Sequence, residues 1–186
     1  QKELKFNMDV WNEYVEHCVA NGINFIVMDI GEGVQWESHP ELVVKGAWSK
    51  EFVKSEILRL REKGIEVVPH INFSTTHAMW LGDVYARMVS TPEYYKLTKD
   101  LIEEVYEMFL HPSVIHIGMD EAHMLGRGKY FDRYGQKSSN EIIKGHLEKI
   151  CDIAKPYGYE LFVWSDMFFR PCMILYYSMF LFFFVV

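Results

Sequence analysis

The sequence predicts an α/β chain organised as a partial (β/α)8 TIM barrel of about four β/α units. Three observations lead there. An amphipathic helix, a glycine and a short apolar strand recur as one phrase along the chain. The strands are nearly continuous apolar runs, as expected of parallel strands covered on both faces. The long connections all follow strand C-termini, the arrangement in which a barrel builds its site.

The elements follow in order. Val10, Trp11, Tyr14, Val15, Cys18 and Val19 form a helical stripe, then Gly22, then the run Ile23–Ile30. Phe52, Val53, Ile57, Leu58 and Leu60 form the next, then Gly64 and Ile65–Phe73. Thr91 caps a third helix that begins with Pro92 and carries Leu97, Leu101, Ile102, Val105, Met108 and Phe109. His111–Pro112 stops it, and Val114–Gly118 is its strand. Ser138 and Glu141 make a capping box before Ile142, Ile143, Leu147, Ile150, Cys151 and Ala154, followed by Gly158 and Tyr159–Trp164. Apolar spacing gives the helical period, and glycine suits the left-handed residue past a helix end.

Helix–strand units in series imply a parallel sheet with right-handed crossovers. The segments 31–48, 73–91 and 119–138 are long, whereas the return connections are one or two residues. A complete barrel has eight units in about 250 residues, so four units make about half of one. Residues 1–170 are assigned to this partial barrel. The apolar stretch within 171–186 is read as an anomalous tail, truncated or frame-shifted; Met173–Val186, at 14 residues, is short for a membrane span.

The 186 residues are 49% hydrophobic and 24% charged, which suits one core of ordinary size. The net charge of −7 is spread along the chain and excludes the basic face that nucleic acid requires. Cys18, Cys151 and Cys172 are too far apart for a zinc or disulfide framework; Cys18 and Cys151 read as buried thiols. With no signal peptide visible, this favours a cytoplasmic location. Nothing firmly implies a membrane partner or sets the oligomeric state.

The densest chemical signal is His116-Ile-Gly-Met-Asp120-Glu121-Ala-His123, an apolar strand running into adjacent carboxylates. Catalytic groups sit at barrel strand C-termini, and both carboxylates reach one site only if the chain turns there. Spacing alone equally allows a polar loop in which Asp120 caps a helix.

The segment resembles glycoside hydrolase family 20, the β-N-acetylhexosaminidases, whose fourth strand ends in His-x-Gly-Gly-Asp-Glu; here Met119 replaces the second glycine. Gly64-Ile-Glu-Val-Val-Pro-His70 with His77 resembles the third strand, its glutamate replaced by His70 and its Pro-Gly-His loop altered to Ser74-Thr-Thr-His77. Leu161-Phe-Val-Trp164-Ser-Asp166 resembles the fifth strand, and Asn24–Asp29 the second. Met119–Tyr134 is most like the bacterial N-acetyl-glucosaminidase branch.

The resemblance implies release of terminal N-acetylhexosamine from β-linked glycans by substrate-assisted retention, without cofactor or metal. Glu121 would be the acid/base and Asp120 the partner of the acetamido N–H. Trp164 would pack on the acetamido methyl, with Asp29, His77 and Asp166 also facing substrate. His116 reads as a core histidine, and Trp36, Trp48 and Trp80 as candidates for outer sugar subsites. The family's first-strand arginine and later strands are absent from this chain. Two other readings compete: a non-catalytic sugar-binding barrel, and a metal-dependent barrel hydrolase with His70, His77, His116, Asp120 and His123 around zinc.

Overall fold

A computed structural model describes residues 3–74, 78–122, 125–165 and 167, with the side chains of 78, 79 and 83 excepted. His77, His123, Asp166 and the tail 171–186 lie outside the described residues. The principal elements are α1 (Met8–Ala20), β1 (Phe25–Asp29), α2 (Lys50–Glu62), β2 (Glu66–His70), α3 (Gly82–Ala86), α4 (Pro92–Met108), β3 (Val114–His116), α5 (Lys129–Tyr134), α6 (Ser139–Ala154) and β4 (Glu160–Phe162). The strands form one parallel sheet in the order β1-β2-β3-β4, as the alternation of helices and strands predicts.

Side-chain caps start the main helices. Asn7 accepts from the Asp9 and Val10 amides at 2.9 and 3.2 Å, and Ser49 from the Phe52 amide at 3.2 Å. Thr91 caps α4 ahead of Pro92 as expected. Ser138 caps α6 through the Glu141 amide, but its hydroxyl also donates to the Glu141 carboxylate at 3.3 Å, a contact between side chains rather than the reciprocal backbone bond of a capping box. Gly22, Gly64 and Gly158 take positive φ after their helices. The unit ending at β3 has no glycine there, so Leu110 and His111 themselves adopt φ of 58° and 59°.

The core lies between the helices and the outer face of the sheet. In α4, Leu97, Leu101, Ile102, Val105 and Met108 are all buried, because α2 and α6 flank it on either side. Other stripes are only partly covered. Val10, Val19, Phe52 and Leu58 are exposed, and Cys151 is exposed where a buried thiol is expected; Cys18 is buried. Periodicity assigns residues to a face but does not say how far a neighbour extends over it.

The inner face of β1 is likewise open. Phe25 and Val27 are 37% and 38% exposed, so this strand is not covered on both faces as its apolar run implies. Ile26, on the alternate face, is buried against the helices. No helix among the described residues is long and apolar enough to cross a membrane.

Candidate active site

Register sets the first layer. Asp29 pairs with His70, His70 with His116, and His116 with Phe162, so one row of side chains crosses the inner face at the C-terminal ends of the strands. Trp164 continues from β4, its amide donating to the Gly118 carbonyl at 2.9 Å. The His70 and His116 rings meet edge to face at 4.8 Å, and His116 lies 4.4 Å from the Trp164 ring.

Asp29 and His70 are paired, with Oδ2 and Nδ1 3.5 Å apart. Partial burial opposes ionisation of Asp29, but His70 and the Gly31 amide outweigh it, and the carboxyl is held below its ordinary range. His70 Nε2 is buried without a hydrogen-bond partner among the described residues. His116 Nδ1 accepts from the Gly118 amide at 3.1 Å, which puts the proton of its neutral ring on Nε2. Burial first, and the neighbouring His70 second, push His116 down to about 3.

His146 on α6 is also buried and held down at about 4 by burial. Both histidines have folded pKa values below the unfolded value, so the unfolded chain binds more protons as pH falls from about 6.5. Their contribution is complete above that pH and lost on acidification, at up to about 1.4 kcal/mol per pH unit for each ring. Urea unfolding is expected to shift to lower midpoint between pH 7.5 and 5.0; equal midpoints would refute the assignment of two neutral buried rings.

The carboxylate segment is shaped by a turn. Ladder bonds persist past β3, from the Phe73 amide to the Ile117 carbonyl at 3.1 Å and from the Ile117 amide to the Phe162 carbonyl at 2.9 Å. The chain then turns through left-handed Gly118, Met119 and Glu121, with φ of 73°, 77° and 45°. A methionine in this conformation is costly; it is also completely buried, so packing holds it there.

Asn72 clamps the turn. Its Nδ2 donates to Asp120 Oδ1 at 2.6 Å, while its Oδ1 accepts from the Ser74 and Met119 amides at 2.8 and 3.3 Å. Ser74 Oγ donates to the Asp120 carbonyl at 3.0 Å. Asp120 is therefore fixed and half-buried, and Glu121 follows it exposed. Such a fixed carboxylate can hold an N–H, and the adjacent exposed one can exchange a proton with a bound group.

Asp29, Trp164, Asp120 and Glu121 thus all lie at the C-terminal end of the sheet. His77 and Asp166 fall outside the described residues. Of the loop tryptophans, Trp36 is buried and donates to the Gly31 carbonyl at 2.9 Å, which leaves it no open face for a sugar, and half-buried Trp48 packs against Phe6 and Phe52. Trp80 lies against Gly31. Asn72 and Ser74 are site residues that the sequence reading passed over. The available signal was an amide between apolar Ile71 and Phe73, since a buried polar group needs partners. Among the described residues no group of three or more His, Cys, Asp or Glu side chains is arranged to hold a metal ion.

No protein-family profile matches the chain. Among curated proteins, lacto-N-biosidase of Bifidobacterium bifidum is 23% identical along an alignment of 190 positions that covers 88% of this chain and 17% of that protein. Among solved structures, the Flavobacterium johnsoniae chitobiase superposes with a TM-score of 0.70 at 20% identity, over 88% of this chain and 30% of that one. The Bacteroides fragilis β-N-acetylhexosaminidase gives 0.70 at 21%, over 89% and 40%. The family 20 β-N-acetylhexosaminidase of Streptomyces coelicolor gives 0.70 at 17%, over 87% and 37%. The chain therefore spans less than half the length of each of these proteins. At these identities the likeness establishes the fold, and it is the one the Asp120–Glu121 segment resembles: four β/α units of the barrel found in glycoside hydrolase family 20.

Proposed function

We propose that this chain is part of the catalytic barrel of a β-N-acetylhexosaminidase that removes terminal N-acetylhexosamine from β-linked glycans. The observation that carries the reading is the clamped Asp120 beside exposed Glu121 at a barrel strand end. In substrate-assisted retention the acetamido oxygen attacks the anomeric carbon as the glycosidic C–O bond breaks, so no protein nucleophile is needed, an exception to the two-carboxylate rule. Glu121 gives its proton to the leaving oxygen and then takes one from the water that opens the ring intermediate. Asp120 holds the acetamido N–H and the positive charge developing beside it. Trp164 offers an aromatic face to the acetamido methyl.

The 186-residue chain supplies four of the eight units, and we propose that it is inactive alone. A barrel completed with the missing units is expected to cleave nitrophenyl β-N-acetylglucosaminide and to release the β-anomer first, as proton NMR would show. Glycan binding without turnover would favour a sugar-binding barrel instead, and first release of the α-anomer would refute retention.

A further inference from the structure

On the helix side of the carboxylate turn, α4 and α6 enclose a buried polar knot. His146 Nε2 lies 3.2 Å from the Phe73 carbonyl, and the Tyr94 hydroxyl donates to the same oxygen at 3.0 Å. A carbonyl only accepts, so His146 carries its proton on Nε2. Its Nδ1 then offers one lone pair, with the Ser90 hydroxyl at 3.0 Å and the Tyr95 hydroxyl at 3.2 Å in reach of it. His146 and Tyr94 are almost completely buried. Ser90, beside the ring, has a φ of 65°.

The Phe73 carbonyl shares a peptide unit with the Ser74 amide. That amide donates to Asn72 Oδ1, and the Asn72 side chain holds Asp120. Peptide units are planar, so gripping the oxygen at one end fixes the direction of the N–H at the other. Two donors on one buried oxygen also satisfy both of its lone pairs, leaving the unit no alternative orientation of similar energy.

We propose that His146, with Tyr94, is a positioning residue for Asp120, acting through the Phe73–Ser74 peptide and the Asn72 clamp. The inference rests on the hydrolase reading for its consequence in catalysis, but the coupling itself is measurable without turnover. Amide exchange in the full chain is the direct test. In His146→Phe, exchange at Ser74 and Met119 is expected to accelerate roughly tenfold, the effect of losing one such hydrogen bond. Exchange at Ile71 and Ile117, which donate to the sheet ladder, stays unchanged. His146→Gln, whose amide can donate near the Nε2 position, restores protection.

Tyr94→Phe removes one donor at almost constant volume and is expected to act in the same direction, which covers failure of His146→Phe to fold. In the completed barrel, His146→Phe lowers kcat about tenfold with KM within about twofold, since Asp120 acts on the developing charge. Uniform acceleration at all four amides, or none at Ser74 and Met119, would overturn the proposal. Absence of any N-acetylhexosaminide hydrolysis by the completed barrel with its own sequence would instead refute the hydrolase reading and leave the coupling standing.

Discussion

Glu121→Gln in a completed barrel is expected to lower turnover about 10²- to 10⁴-fold, the range a positioned general acid–base supplies. The amide matches the carboxyl in shape but cannot deliver or recover a proton. The loss should be greater on an N-acetylhexosamine disaccharide than on a nitrophenyl glycoside, because nitrophenolate departs with little help. Glu121 is exposed, so its replacement should leave urea unfolding unchanged within about 0.5 kcal/mol. Steady-state kinetics on both substrates decide the matter, and near-normal hydrolysis of the disaccharide would remove Glu121 from the acid/base role.

Gly118→Ala should act through stability instead. A Cβ at this position would stand 2.5 Å from Asn72 Cγ and Oδ1 and 2.6 Å from its Cα. The obstruction includes backbone, so moving a side chain does not relieve it, and φ of 73° adds strain for any residue with a Cβ. The expected loss is at least about 3 kcal/mol, from overpacking added to left-handed strain. Gly22→Ala is the control: φ is again 73°, but nothing lies within 4 Å, so about 1–2 kcal/mol of conformational cost remains. If urea denaturation places the two variants within about 0.5 kcal/mol of each other, the close approach of Gly118 to Asn72 is refuted.

Much of the architecture was legible because it depends on local pattern. The α4 stripe, its Thr91–Pro92 start and the parallel strand order follow from period, capping and alternation. Features set by distant neighbours were not. Nothing near Trp36 in sequence indicates that its indole closes onto Gly31, and nothing near Cys151 shows that its side of α6 lacks a cover. Met119 was visible as a departure from a glycine motif, but its left-handed backbone depends on packing and on the Asn72 contact from another strand. His146 reads locally as one residue on an apolar stripe; its connection to Phe73 spans elements far apart in sequence.

The row Asp29, His70, His116 and Phe162 has a consequence for tolerance to length change. Its members are aligned by backbone ladders within the strands, whereas the segments that follow lie outside those ladders. Insertions in 31–48 or 125–137 would leave the row at its level and alter only what surrounds it. A single-residue deletion inside β2 would turn His70 toward the helices and bring Pro69 or Ile71 inward. Reading-frame-preserving changes should therefore accumulate in the connections while strand lengths stay constant, so the surroundings of the row can diversify without moving it.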